Sequence, residues 1–229
     1  MSTTYHFSSE ELIRSCPLPK TLYSHKSNTN KSLTIEAAKI EPLSSFLKNI
    51  KKHIEYSDVE RLIEMIGRQL HHLETEQNKG ISMFYLDDIT VFHSSSSSSS
   101  ENHTNAYFAI TNEHNIYDID DDNHMEITIP ILPETSSHLS KNVAFLSPEY
   151  KEFMSKKTIP HQIHFKSSYY SFGLLCVYCY VSRDRDIIHN ANTSKIFDTL
   201  LAPIINTKIY WFLKQVLCEN PSERRYICV

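Results

Sequence analysis

Scarcity of glycine is the feature that most limits what this chain can fold into. Only three glycines occur among its 229 residues, and Gly67, Gly80 and Gly173 lie far apart. A loop that wraps closely around phosphate groups needs several glycines at fixed spacing, because a residue without Cβ lets the backbone approach the ligand. The sequence therefore contains no glycine-rich phosphate-binding loop.

The composition is that of one compact globular domain. Hydrophobic residues make up 40% of the chain and charged residues 22%, with a formal net charge of -4. The basic residues are scattered, so we expect no nucleic-acid partner. The longest apolar stretch, residues 169–181, is shorter than the roughly 20 residues of a membrane helix. With no secretory signal at the N-terminus, we expect no membrane partner and a cytoplasmic location.

Three groups of side chains contain residue types that bind metals, and none of the three has a complete ligand pattern. Cys176 and Cys179 form a CxxC pair without a second CxxC or CxxH, which predicts buried thiols. The acidic run from Asp118 to Asp122 matches the first ligand positions of an EF-hand. Asn123 and Ile129 then occupy the positions that require Gly and Glu, so the run predicts a solvated turn. The 13 histidines show no zinc-hydrolase spacing. We expect no metal and no cofactor.

A run of serines interrupts the chain between Ser94 and Ser100. Such a tract buries too little apolar surface to offset the entropy lost on ordering. Periodic sequence resumes on both sides, so residues 93–105 are predicted to be a disordered insert within one domain.

Hydrophobic periodicity predicts four helices. Leu43 to Ile50 forms a short amphipathic helix. A longer helix is predicted to begin at a capping box of Ser57 and Glu60 and to end at residues 78–80. Residues 169–181 form a buried helix, and the last helix places Ile205 on the same face as the apolar residues Ile209, Phe212, Leu213 and Val216.

Short strands are predicted between the helices. Residues 81–92 are predicted to be an extended or turn segment. Tyr107 to Thr111 and Ile116 to Ile119 flank a polar turn, which predicts a hairpin. Glu126 to Ile131 alternates and predicts a further strand.

The order of these elements resembles the C-terminal lobe of protein kinases. Leu70-His71-His72-Leu73 followed by Gly80-Ile81 resembles the helix end before the kinase catalytic loop, and Ser147-Pro148-Glu149 resembles the Ala-Pro-Glu motif. Residues 167–175 resemble the central buried helix, with Ser168 at the position of the kinase Asp and Gly173 matching the kinase Gly. The chain is similar to divergent kinase-like proteins of large DNA viruses, which would place it in the host cytoplasm. The resemblance implies a mainly α (α+β) fold with a short β-hairpin region.

One ion pair follows from the resemblance. In kinases, the Glu of Ala-Pro-Glu binds an Arg that follows the Asn-Pro of the last helices, which pairs Glu149 with Arg224. Losing either partner of such a buried pair costs about 3 to 5 kcal/mol. The alternative is that both are unrelated solvated charges.

In the comparison with protein kinases, this chain has other residues at the positions required for phosphoryl transfer. Tyr85 falls at the position of the catalytic Asp, and Asn112 falls at the magnesium-binding Asp. A phenol with a pKa near 10 is a poor base, and a neutral amide oxygen is a poor magnesium ligand. Asp87 or Asp88 could fall near the magnesium-binding Asn, or the two could simply form a turn.

The N-terminal lobe of a kinase would not fit in the remaining residues. Leu33 to Glu36 resembles the last strand and hinge of that lobe, and only residues 1–36 are available. The resemblance therefore divides the chain into a vestigial segment, 1–36, and a kinase-like C-lobe, 37–229, with the N-terminal lobe truncated or missing.

We therefore expect a catalytically inactive kinase-like domain, a pseudokinase, that binds a protein partner or regulates one. One alternative is an atypical kinase that binds ATP and magnesium weakly. The other is a structural protein of a virus.

Overall fold

A computed structural model describes residues 2–26, 32–50, 54–94, 105–128, 144–156, 159–184 and 194–226. These residues form a mixed α+β fold, which confirms that part of the prediction. Residues 95–104, most of the serine-rich insert, lie outside the described ranges. His93 is part of a strand and is buried, and the N–H of Ser94 donates to the C=O of Asn105 at 3.1 Å.

Seven helices lie in the described part of the chain. In chain order they are α1 (Glu10–Ser15), α2 (Leu43–Asn49), α3 (Tyr56–Gln77), α4 (Pro148–Lys156), α5 (Ser167–Tyr180), α6 (Ser194–Leu201) and α7 (Lys208–Val216). Within the same ranges, no helix combines the length and apolar character needed to cross a membrane.

The described strands are short and form five small sheets. In chain order they are β1 (Thr3–Phe7), β2 (Tyr23–Lys26), β3 (Leu33–Ala37), β4 (Lys39–Pro42), β5 (Lys79–Ile81), β6 (Phe84–Tyr85), β7 (Ile89–His93), β8 (Ala106–Ile110), β9 (Ile116–Asp118), β10 (His124–Ile127), β11 (Ala144–Phe145) and β12 (His161–His164). Two sheets have three strands, in the orders β1-β3-β2 and β4-β7-β8. The other sheets are the pairs β5-β9, β6-β11 and β10-β12.

The predicted hairpin is wrong in its partners. β8 pairs with β7 across the serine-rich insert, in a register that places Ile89 opposite Ile110. β9 leaves this sheet and pairs with β5, with Gly80 opposite Tyr117. A polar turn therefore separates β8 from β9 without joining them, because each strand finds a partner that is more distant in sequence.

The long helix α3 supplies the central packing surface. Its predicted apolar face is buried, from Val59 to Leu73. The predicted capping box is absent, because Glu55 is the N-cap and makes no side-chain capping bond. The helix ends at Asn78, which has a left-handed φ of 53°. Gly80 instead lies in β5, where a Cβ would stand 2.6 Å from Met125 Sδ.

The N-terminal segment packs into the main core. Phe7 of β1 and Leu33 and Ile35 of β3 are at most 3% exposed, and they belong to the same apolar cluster as the buried face of α3. The strands β1, β2 and β3 thus form a three-stranded sheet whose buried side chains belong to the main core.

Helices α5 and α7 pack closely against each other at Gly173. A Cβ on Gly173 would lie 2.7 Å from Val216 Cγ2, so a larger residue would force the helices apart. α7 begins later than predicted, because Thr207 accepts a capping hydrogen bond from the N–H of Tyr210. Ile205 consequently lies in the preceding turn and is 51% exposed instead of facing the core.

Candidate functional site

The candidate site lies where β7 begins and β8 ends, at the same end of this antiparallel strand pair. Asp88 is the last residue of a 3-10 turn, Leu86–Asp88, just before β7. Pairing of the two strands brings Thr111 to Asp88, and the N–H of Thr111 donates to the Asp88 C=O at 2.9 Å. Asn112 follows directly, so the fold brings Asn112 next to Asp88, two residues that are 24 positions apart.

The carboxylate of Asp88 is buried and accepts three hydrogen bonds. Its Oδ2 accepts from the backbone N–H of Tyr85 at 2.7 Å and from Nδ2 of Asn115 at 3.4 Å. Its Oδ1 accepts from Nδ2 of Asn112 at 2.8 Å. The side chain is 3% exposed. Protein donors thus occupy three of the about four acceptor directions of this carboxylate.

The side chain of Asn112 is fixed in orientation. Its Oδ1 accepts a hydrogen bond from the backbone N–H of His114 at 3.1 Å. An amide flip would break this bond and would turn the Oδ1 towards the Asp88 carboxylate. Asn112 therefore presents a donor, and not a metal ligand, to Asp88.

Burial raises the pKa of Asp88 to about 6, although the hydrogen bonds from Tyr85, Asn112 and Asn115 lower it in part. Burial disfavours the charged form of a carboxyl group. At neutral pH the group is still mainly ionised, and the three donors stabilise that charge.

Tyr85 does not replace a catalytic carboxylate. Its ring belongs to a small apolar cluster with Met83, Tyr150 and Phe153. Burial, and then the charge of Asp88, raises the pKa of Tyr85 to about 12. A phenol with so high a pKa carries almost no phenolate at neutral pH, so it cannot act as a general base there.

Two acceptor atoms beside Asp88 lack a hydrogen-bond partner among the described groups. They are Oδ1 of Asp87 and Oδ1 of Asn115, and both atoms are buried. Within the described ranges, no ion pair involves Asp87 or Asp88, and no group of three or more His, Cys, Asp or Glu side chains is arranged to hold a metal ion.

Aromatic side chains from β1 cover the neighbouring face of β7. The ring centroid of Phe92 lies 5.7 Å from that of Tyr5 and 6.4 Å from that of Phe7. Phe92 is fully buried. Direct packing of these rings leaves no room for a ligand between β1 and β7.

The cavity next to Asn112 is small. It has a volume of about 170 Å³ and is lined by residues of β1 and α1 together with Thr111, Asn112, Glu113 and His114. Small-molecule sites commonly have volumes of about 300 to 1,000 Å³. A nucleotide would therefore need a rearrangement of the N-terminal sheet.

A larger cavity of about 480 Å³ lies at the predicted hinge. Its lining includes Tyr23, Ser24, Glu36, Ala37 and Ser94. Among the described residues that line it, none is lysine or arginine, and Glu36 is the only charged one. A carboxylate there would repel a phosphate group.

Glu149 and Arg224 form a two-bond ion pair. Nη2 of Arg224 lies 2.5 Å from Oε1 of Glu149, and Nη1 lies 3.2 Å from Oε2. Arg224 is fully buried, and the Glu149 side chain is 19% exposed. Ser168 Oγ donates to the C=O of Phe165 at 3.0 Å, so Ser168 serves as a local contact at the start of α5.

Sequence reasoning missed two features of this region. Asn115 carried no signal, because an Asn in a polar turn is common and its contact with Asp88 depends on the fold. Glu74 was also missed. Its Oε2 accepts from the Tyr169 hydroxyl at 2.6 Å, and burial raises the pKa of Glu74 to about 7.

No protein-family model matches the chain. No curated protein sequence matches it either. Among solved structures, the chain is similar to the kinase domain of PknI from Mycobacterium tuberculosis, crystallised as a double mutant. The two are 10% identical, the match covers 93% of this chain and 70% of that chain, and the TM-score is 0.48.

Proposed function

We propose that this chain is a catalytically inactive kinase-like domain that acts as a protein-binding or regulatory module. Support for the kinase-like part comes from two contacts. Glu149 meets Arg224 across 75 positions of sequence, and Asp88 meets Asn112 at the end of the β7-β8 pair. The resemblance pairs Glu149 with Arg224, and it assigns Asn112, with Asp87 or Asp88, to the region of the kinase magnesium site.

The arrangement around Asp88 is the observation that carries the inactive part. Magnesium in kinases is held by oxygen ligands, including a carboxylate that here is replaced by Asn112. The remaining carboxylate, Asp88, already accepts three hydrogen bonds, and the Asn112 amide points its N–H towards it. A metal ion at this position would have to displace these donors.

Other features support the same proposal. Phosphoryl transfer also needs a base and a cover for the phosphates. Tyr85 is buried with a pKa of about 12, and Tyr5 and Phe7 pack directly on Phe92. A binding role is supported by an exposed aromatic side chain, Trp211, which is 62% exposed.

A thermal-shift measurement with ATP and magnesium tests the proposal. A ligand that binds only the folded state at 100 times its Kd raises the free energy of unfolding by about 2.7 kcal/mol. We expect no shift with about 1 mM MgATP, a concentration that would reveal micromolar binding. We also expect no autophosphorylation.

An atypical kinase is the second candidate, favoured by the unpartnered Oδ1 atoms of Asp87 and Asn115. A cation could satisfy both acceptors if the site rearranged. In that case MgATP should stabilise the protein and drive autophosphorylation, and both effects should be lost in Asp88→Ala. A variant at a distant exposed carboxylate, Glu64→Ala, is the matched control. This outcome would contradict the proposed inactivity.

A further inference from the structure

Two histidines face each other across the β10-β12 pair. His124 and His164 are directly opposite in the antiparallel register, and their ring centroids are 5.6 Å apart. Both residues are partly buried. Nδ1 of His124 is buried and has no hydrogen-bond partner among the described groups. Two neutral rings can share this space, whereas two imidazolium ions would repel each other.

One ring nitrogen of His164 is used as an acceptor. The backbone N–H of Lys166 donates to Nδ1 of His164 at 3.2 Å. An imidazole nitrogen accepts a hydrogen bond only while it carries no proton. Protonation at Nδ1 would therefore set two donors against each other.

The same hydrogen bond lies at a junction of three elements. Lys166 is the N-cap of α5 and lies two residues after the end of β12. Its C=O accepts from Nη1 of Arg224 at 3.2 Å. A change at His164 is thus coupled to the start of α5 and to the Glu149–Arg224 pair.

Neighbouring groups both lower and raise the pKa of His164. Burial, then His124, Lys166 and Arg224, lowers the pKa of His164, and Glu149 of α4 opposes this shift. Near His124, Asp120 accepts from its backbone N–H at 2.7 Å, and Glu126 lies two residues along β10 on the same face. The elements packed against this strand pair carry further titratable side chains, namely Tyr117 and Asp118 on β9 and Glu149, Tyr150, Lys151, Glu152 and Lys156 on α4. His161 lies on β12 itself, and Phe165 next to His164 contacts Tyr169 of α5, which binds Glu74 of α3.

We propose that His124 and His164 form a pH-sensitive latch, which holds β10 on β12 while both rings are neutral and releases the two strands below about pH 6. The sign follows from linkage. Because folding lowers the pKa of His164, the folded protein binds fewer protons than the unfolded chain below the reference value of about 6.5. Stability of this strand pair therefore falls as the pH falls through that range. The latch does not depend on whether the domain is an enzyme.

Amide hydrogen exchange measured between pH 7.5 and 5.5 tests the latch. After correction for intrinsic exchange rates, we expect protection of the amides in β10 and β12 to fall at least tenfold. Protection of the α3 amides 59–70 should change by the same factor in the unmodified protein and in the double variant, because Glu74 titrates in both, and it serves as the internal control. In the double variant His124→Gln with His164→Gln, the fall should shrink to less than threefold, because neither side chain can then be protonated.

Two controls keep the test decisive. His71→Gln changes an exposed histidine on α3 and should behave like the unmodified protein. If the double variant fails to fold, the ring resonances of His124 and His164 can be titrated in the unmodified protein. Titration of the His164 ring at or above pH 6.5 would overturn the proposal, as would protection in β10 and β12 that does not change with pH.

Discussion

Replacing Arg224 tests a buried guanidinium whose hydrogen-bonding capacity is fully used. All five N–H donors of its guanidinium are in use. Two of them bind Glu149, and the others bind the C=O groups of Cys218 at 2.8 Å, Glu219 at 2.8 Å and Lys166 at 3.2 Å. Its guanidinium carbon also lies 4.9 Å from the ring centroid of Tyr170.

The size of the effect follows from these contacts. Arg224→Met removes all five N–H donors and leaves Glu149 partly buried and unpaired. The substitution should therefore cost about 3 to 5 kcal/mol of stability. Glu149→Gln keeps one acceptor oxygen and leaves the three carbonyl contacts intact. It should cost less, about 1.5 to 3 kcal/mol, the range for a hydrogen bond to a charged group. Arg224→Lys should cost about as much stability as Arg224→Met. The three donors of a compact ammonium group cannot reproduce the planar, forked arrangement of the guanidinium donors.

Urea denaturation of the single and double variants at pH 7 measures this cycle. The double variant Glu149→Gln with Arg224→Met should cost about 1.5 to 3 kcal/mol less than the sum of the two single changes. The matched control is the exposed pair Arg68 and Glu64 on α3, where each change should stay below about 1 kcal/mol. Additive costs at Glu149 and Arg224, within about 0.5 kcal/mol, would refute the reasoning.

Three further predictions concern single sites. Folding raises the pKa of Glu74 to about 7, so its contribution to stability is lost as the pH rises from 4.5 towards 7. Glu74→Gln should therefore gain about 2 kcal/mol over the unmodified protein in urea denaturation at pH 8 and nothing at pH 4.5, and a gain independent of pH would contradict this. Asn112→Asp places a second carboxylate against Asp88 and should cost about 1 to 3 kcal/mol at pH 7. Adding Asp88→Asn should recover most of that loss, and failure to recover it would remove the role assigned to their hydrogen bond. Deleting Ser95 to Ser100 should leave the melting temperature within a few degrees, since halving a loop changes its closure free energy by only about 0.6 kcal/mol; loss of soluble protein would contradict this.

Local pattern located α2, α3, α5 and α7, but it missed α1, α4 and α6 and gave a wrong strand pairing. The periodicity of α3 was visible because its apolar face stays buried along the whole helix. β1 carried no such signal, since four of its five residues are exposed or partly exposed. The partner of β8 was predicted wrongly because turn rules favour the nearest strand, whereas the sheet selects the strand with the better packing.

Only the resemblance singled out Asp88 and Asn112 in the sequence. Nothing in their spacing places Asp88 beside Asn112, which is 24 positions away. The three donors around Asp88 come from two different segments, and one of them is a backbone N–H that no sequence pattern reveals. Hydrogen-bond geometry, which decides whether a carboxylate is free to bind a cation, depends on the folded chain.

The late position of Arg224 has a consequence for how this protein folds during synthesis. Ribosomes add about 5 to 20 residues per second. The 75 positions between Glu149 and Arg224 therefore correspond to about 4 to 15 s, during which the carboxylate has been made and its guanidinium has not. Tyr226 comes later still, and its hydroxyl donates to the C=O of Ile63 on α3 at 2.6 Å. The contacts that α3 and α4 make with Arg224 and Tyr226 can therefore form only after these two residues have been made, so the two helices complete their packing later than their own synthesis.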